Sequence, residues 1–262
     1  MPKALQGMQV VVTRPVPQAH GFRQRLAQAG ATAIAFPVLS IQAAADLTAA
    51  QRAFAQLSSY DIVVFISTNA VDFGLALLDN AQQSILKQQG VGAIGKKTAQ
   101  ALHNQGVPVR LVPEQGYTSE DLLALSALQD LTQQRVLIVR GQGGREVLAD
   151  TLRQRGAVVD YADVYQRICP TVSPDLLKQH HDQQPLGIIA ITSGEGLQNL
   201  LVILENPDWI KNVPLLVGSR RMADLAKQVG FKGALVIADD PGDEAMFTAL
   251  AQWAQETNEH DR

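Results

Sequence analysis

Six short turns hold most of the polar residues placed to do chemistry in this 262-residue sequence. They are Thr13-Arg14-Pro15, Ser67-Thr68-Asn69, Gly95-Lys96-Lys97-Thr98, Arg140-Gly141-Gln142-Gly143-Gly144, Thr192-Ser193-Gly194 and Gly218-Ser219-Arg220. Each follows a short apolar run and precedes a helical pattern. A helix starting there presents unpaired N–H groups and the positive end of its dipole to an anion. Glycine lets a ligand approach the backbone closely, and arginine suits bidentate binding of a carboxylate. The same hydroxyl and amide side chains also cap helices with no ligand present, and that reading stands beside the first at every turn. Capping does not account for arginine after a strand twice, at Arg14 and Arg140. The run RGQGGRE at 140–146 lacks the GK[ST] of a P-loop, and Glu146 stands where G-x-G-x-x-G needs its last glycine. It reads as a generic anion nest.

Other chemistries lack their residues. No Ser-His-Asp order and no pair of carboxylates stands out by spacing. Cys169 is the single cysteine and lies beside Pro170 with no recognisable base, so no intrachain disulfide can form, which fits a reducing compartment. The five histidines lack metal-ligand spacing, and His180-His181 reads as a solvated pair. The net charge is −3 with no basic stripe, which argues against nucleic acid as a partner. No stretch reaches the length of a membrane span, and the apolar run near the start is too short for a signal segment. The expectation is a cytoplasmic protein, acting as a monomer, with no membrane or nucleic-acid partner, no metal and no cofactor. Its expected ligand is a polyanion held mostly by backbone and hydroxyl groups.

The elements that must position these turns follow from hydrophobic patterning. Short apolar runs at 8–13, 32–36, 61–66, 91–95, 107–112, 135–139, 157–161, 186–191, 213–217 and 233–238 read as strands separated by helical patterns. Gly30 and Gly156 are placed to end helices over 18–29 and 145–155. Thr118 with Asp121 forms a capping-box start for a helix through Leu128. Asp240 reads as an N-cap with Pro241 at the first helical position, and the tail from Glu256 reads as frayed. Strands alternating with helices imply α/β architecture with parallel sheets covered on both faces, here two flavodoxin-like sheets of about five strands. The halves repeat at a shift near 126. VVVTRP at 10–15 matches VLIVRG at 136–141, VVFISTNA at 63–70 matches IIAITSGE at 188–195, and VGAIGKKTAQAL at 91–102 matches PLLVGSRRMADL at 214–225.

These turns, in this order, resemble the uroporphyrinogen-III synthase family. The resemblance is carried by TRP at 13–15, DIVVFISTNAV at 61–71, AIGKKTA at 93–99, GYTSEDLL at 116–123, LIVRGQGGRE at 137–146, VYQR at 164–167 and ITSGEGL at 191–197. It implies two similar α/β domains joined by a two-stranded linker, with the active site in the cleft between them. Domain 1 would comprise residues 1–36 and 171–262, domain 2 residues 43–160, and the linker strands residues 37–42 and 161–170. The implied reaction removes the ring A hydroxyl of hydroxymethylbilane, a linear tetrapyrrole with eight carboxylates, then closes the macrocycle with inversion of ring D. No metal or cofactor is implied.

Tyr165 matches the family's candidate catalytic tyrosine; a phenol, protonated at neutral pH, can donate to the departing hydroxyl. Its alternative is a structural tyrosine at a domain junction. Ser67, Asn69, Lys96, Thr98, Gly141, Thr192, Ser193, Gly218 and Ser219 are the implied substrate contacts. Arg14 and Arg140 are the expected carboxylate partners, or else structural ion pairs. Thr98 has no threonine counterpart after Gly218, so the two copies are unequal. Two other functions fit the same turns: a non-enzymatic binder of an anionic metabolite, and a flavodoxin-like binder of a flavin phosphate, for which 5% aromatic residues is a thin supply of stacking groups.

Overall fold

Strands built as unbroken apolar runs, such as QVVV, IVVF and IIAI, have no polar face to offer water, so helices must cover both sides. The computed structural model, which describes residues 5–144, 146–205 and 208–260, builds the chain that way. Its elements are β1 (Gln9–Val12), α1 (Val16–Gln28), β2 (Thr32–Ala35), β3 (Ser40–Ala43), α2 (Thr48–Ala55), β4 (Ile62–Phe65), α3 (Thr68–Leu75), α4 (Asn80–Leu86), β5 (Gly90–Ala93), α5 (Lys96–Asn104) and α6 (Ser119–Leu123). They continue with β6 (Arg135–Gly141), α7 (Val147–Gln154), β7 (Val158–Ile168), α8 (Asp175–Gln183), β8 (Ile188–Ile191), α9 (Gly194–Ile203), β9 (Leu215–Val217), α10 (Arg220–Gln228), β10 (Leu235–Ile237) and α11 (Asp243–His260).

The chain divides into two units. Unit 1 joins Met1–Ser40 to Ile168–Arg262, and unit 2 is Ile41–Arg167. The sheet of unit 1 has the order β10-β9-β8-β1-β2 with parallel pairings. One face packs Phe36, Ile189 and Leu200, the other Phe22, Leu216 and Met246. The sheet of unit 2 has the order β3-β7-β6-β4-β5, with β4, β5, β6 and β7 parallel. Its faces bury Phe54, Phe65 and Leu102 on one side and Leu122, Ile138 and Leu152 on the other.

The repeat is present in the strand register. Gln9 stands opposite Thr32 in unit 1, and Arg135 opposite Val158 in unit 2; both partners are displaced by 126 (9 to 135, 32 to 158). Val10 opposite Ile188 is likewise matched by Val136 opposite Ile62. Gly30 and Gly156 end the corresponding helices at φ +89° and +92°, a conformation that favours glycine. The helix caps correct the alignment by one residue at two turns. Ser67 and Ser193 are the equivalent N-caps of α3 and α9, and Gly95 and Ser219 those of α5 and α10. Apolar runs look alike at either offset, whereas the cap position is set by where N–H groups become free.

Several expected elements differ. Residues 107–112 are not a strand; Leu111 makes only an isolated parallel bridge to Gly92. Pro108 removes a ladder donor from that short run, and Pro113 another just beyond it. β3 supplies the fifth strand instead, at the opposite edge. The strand expected at 157–161 continues through Ile168. Asp240 does not cap α11: its side chain accepts from the Gly242 N–H in a local turn, and the helix begins at Asp243. The Thr118 capping box forms, but α6 ends at Leu123 and a separate 3-10 turn spans Ser126–Leu128. α7 begins at Val147, with Arg145 outside the described residues. The tail expected to fray from Glu256 is helical to His260, having no glycine or proline to stop it.

Candidate functional site

In open α/β sheets ligands bind beyond the carboxyl ends of the strands, where the strand order reverses. That reversal falls between β1 and β8 in unit 1 and between β4 and β6 in unit 2. The expected site residues gather at these places in two sets. Arg14, Thr192, Ser193, Gly218 and Ser219 follow β1, β8 and β9; Ser67, Asn69, Lys96, Thr98, Arg140, Gly141 and Tyr165 lie at the ends of β4, β5, β6 and along β7.

In unit 1 most of these side chains serve the fold. Ser193 accepts from the Gly196 N–H at 3.0 Å and Ser219 from the Met222 N–H at 3.3 Å. Arg14 forms an ion pair with Asp243, donates to the Pro241 carbonyl and lies over the Phe22 ring. A side chain at Gly218 would come within 2.7 Å of Pro241, so this glycine lets the turn before α11 close on the sheet.

Unit 2 is built differently. A pocket of about 390 Å3 opens there, floored by Ile66, Ile94 and Ile138 and walled by Tyr117, Thr118, the Gly141–Gly144 backbone, Tyr161 and Tyr165. Gly143 and Gly144 both take positive φ, +75° and +114°, which explains glycine at each. Arg140 is not a turn residue; it is the penultimate residue of β6, one position before Gly141. It is buried, donates to Asp163 and Glu146 at 2.9 Å each, and lies 3.6 Å over the Tyr161 ring. Asp163 and Tyr161 were not singled out by sequence reasoning, because a strand pairing twenty-odd residues away leaves no spacing signal.

The ladder between β6 and β7 skips a residue here. Arg140 pairs with Asp163 but Gly141 with Tyr165, leaving Val164 as a bulge. Bulges re-aim side chains and recur beside functional sites. The Tyr165 carbonyl accepts from the Gln142 N–H at 2.7 Å. The phenol ring stacks against Phe73 at 6.0 Å and passes so close to Gly141 that a Cβ there would be 2.5 Å from it. Its hydroxyl lies 3.1 Å from Ser67 Oγ, which also accepts from the Ala70 N–H at 3.0 Å. Tyr165 is thus almost fully buried, yet borders the pocket. Thr98 is buried in the first turn of α5, while Lys96 is exposed; neither lines the pocket. Asn69 sits half-buried in the first turn of α3.

The Tyr161 hydroxyl donates to Glu146, and with Arg140 it holds that carboxyl below the ordinary carboxylate range. A lowered value in the folded state gives stability that is present above the ordinary value and lost as pH falls through the folded one. Glu146→Gln should therefore lower the urea midpoint at pH 7, and the gap from the parent should shrink below about pH 4.5. An equal gap at pH 7 and pH 3 would show that the charge contributes nothing.

Among the described residues no cluster of histidine, cysteine or carboxylates could hold a metal, and no helix is long and apolar enough to cross a membrane. The uroporphyrinogen-III synthase HemD family model matches residues 21–248. The uroporphyrinogen-III synthase of Escherichia coli K12 is 32% identical over 246 residues, covering 93% of this chain and all of that one. That of Salmonella typhimurium is 33% identical over 247 residues, with the same coverage. A crystal structure of the uroporphyrinogen-III synthetase from Helicobacter pylori shares the fold, with TM-score 0.63 at 15% identity over 94% of this chain and 99% of that chain. The chain belongs to the uroporphyrinogen-III synthase family.

Proposed function

We propose that this enzyme converts hydroxymethylbilane to uroporphyrinogen III, with Tyr165 lending a proton to the ring A hydroxyl as it departs. The reading rests on family membership and on one local observation: a phenol fixed by a bulge, a glycine and an aromatic stack at the edge of a pocket. The step balances without any other reactant. The phenolic O–H bond breaks and its proton joins the hydroxyl; the C–O bond breaks and water leaves. The freed methylene is then attacked by the ring D α-carbon that already carries the bridge to ring C. That bridge bond breaks, and the bridge carbon re-forms its bond at the other, unsubstituted α-carbon, which inverts ring D. The proton shed by that carbon as aromaticity is restored replaces the one borrowed from Tyr165. The net change is loss of one water, with no change of oxidation state that would call for a redox partner.

The substrate closes by itself, without inversion, to the wrong isomer. The enzyme must therefore hold ring D so that the bridge-bearing α-carbon, and not the unsubstituted one, meets the methylene, and positioning alone can supply several kcal/mol. Carboxylates spread round the tetrapyrrole suit the first turns of α3, α5, α9 and α10, where the positive end of the helix dipole and outward-pointing N–H groups lie. Ser67, Asn69, Lys96, Thr98 and Gly141 in unit 2, and Thr192, Ser193, Gly218 and Ser219 in unit 1, are the proposed contacts, the capped turns acting through backbone N–H. Arg140 borders the pocket and would meet a carboxylate while keeping Asp163 and Glu146; Arg14 would exchange Asp243 for one. The acting unit is proposed to be a monomer in the cytoplasm with no nucleic-acid or membrane partner.

The test is to supply hydroxymethylbilane and separate the type I and type III isomers. Excess type III, formed faster than spontaneous closure, is expected. Type I alone at the spontaneous rate would remove the enzymatic reading and leave a binder of anionic metabolites, and a yellow protein on purification would point to the flavin alternative.

A further inference from the structure

We infer that Ser67 is a positioning residue that sets the direction of the Tyr165 proton. Its hydroxyl donates to the phenolic oxygen, so the phenol's own proton points into the pocket, toward the departing hydroxyl. The inference rests on Tyr165 as the proton donor.

A serine hydroxyl has one proton and two lone pairs. One lone pair of Ser67 Oγ is taken by the Ala70 N–H at 3.0 Å, as the N-cap of the eight-residue α3. The oxygen thus sits against the positive end of a helix, and that field turns the hydroxyl proton outward, away from the N–H groups. The Tyr165 oxygen, 3.1 Å away, is the partner available to that proton. Once Ser67 donates to it, the phenol must donate elsewhere. The ring cannot rotate out of this arrangement, because Phe73 stacks on it and the Gly141 backbone closes over it. As the phenol gives up its proton, charge gathers on its oxygen. The Ser67 bond then becomes charge-assisted and strengthens. A contact that strengthens only as the reaction proceeds raises kcat without tightening substrate binding.

The internal repeat offers a comparison within one chain. Ser193 caps α9 as Ser67 caps α3, accepting from the Gly196 N–H at the same 3.0 Å. The counterpart of Tyr165 at the shift of 126 is Leu39, which has no hydroxyl. The cap is common to both copies, whereas the link from cap to phenol exists in one.

Ser67→Gly removes the hydroxyl yet leaves a residue that caps helices almost as well. Ser67→Thr keeps both the cap and the donor. For Ser67→Gly the expected result is a kcat lower by on the order of tenfold to a hundredfold, the range for a hydrogen bond to a charged group. KM should stay within about twofold and the melting temperature should be close to the parent's. Ser67→Thr should retain most of kcat, and Ser67→Gly combined with Tyr165→Phe should be no slower than Tyr165→Phe alone. Unchanged kcat in Ser67→Gly overturns the inference. So does a raised KM at constant kcat, which would make Ser67 a substrate contact only, or a double variant in which the two losses multiply. If Tyr165→Phe itself turns over normally, it is the proton-donor reading that fails.

Discussion

Replacing Tyr165 with phenylalanine is expected to lower kcat by on the order of a hundredfold to ten-thousandfold, the usual span for losing a general acid. KM should change far less. The structure explains why the variant is clean. The ring's stacking on Phe73, its passage under Gly141 and the backbone bond from Gln142 do not involve the hydroxyl. Only the bond to Ser67 is lost, and Ser67 keeps its bond from Ala70. Fold and binding should therefore persist while the proton is missing. The measurement is the rate of type III formation and the type III to type I ratio under saturating substrate. Slower enzymatic closure should leave more time for spontaneous closure, so type I should rise as a share of product. A variant with the parent's rate and isomer ratio would refute the proton role and leave Tyr165 as a packing residue.

Gly141→Ala is expected to cost nearly as much turnover by a different route. The added methyl would sit 2.5 Å from Cε2 and Cζ of Tyr165, closer than carbon atoms can approach. Relief would have to come from the ring or from β6. Overpacking of this kind costs about 1–3 kcal/mol of stability. The ring would move off Ser67, so kcat should fall toward the Tyr165→Phe level even though no reacting group has been changed. In a Tyr165→Ala background the same glycine substitution should cost little further melting temperature, because the clash disappears along with the phenol. A Gly141→Ala enzyme with full kcat would show that β6 shifts freely and that the bulge does not fix the phenol. Gly141 entered as a backbone contact for substrate; the structure adds a steric duty toward Tyr165, and the two roles separate in KM and kcat.

Most of the fold was legible in the residues. The five strands of unit 1 fall within the apolar runs read for them, because a strand covered on both faces needs an unbroken apolar stretch. The Thr118 box and the glycines at 30 and 156 also did their expected work, since these are local requirements of hydrogen bonding and φ. The miss at 107–112 has a tertiary cause. Residues 107–112 looked as strand-like as any other run, but a strand must extend its ladder along a neighbour, and beside β5 this run makes only the single bridge from Leu111 to Gly92. The one-residue error in the repeat arose where apolar residues are interchangeable and only the cap marks the register.

The candidate site divides in the same way. Sequence alone determined which turns carry polar residues and, through resemblance, which tyrosine to watch. It did not separate ligand-binding serines from capping ones, since Ser67, Ser193 and Ser219 share both the residue type and the position before a helix. It left Arg140 open between substrate and ion pair, because Asp163 is brought to it by strand pairing, not by spacing. The tertiary structure alone decided that β6 and β7 slip by one residue at Val164, that a glycine clears space for the Tyr165 ring, and that one of two equivalent helix caps meets a phenol. Those relations join residues about 25 and 98 positions apart, and contacts of that range are set by packing, where local propensity carries no information.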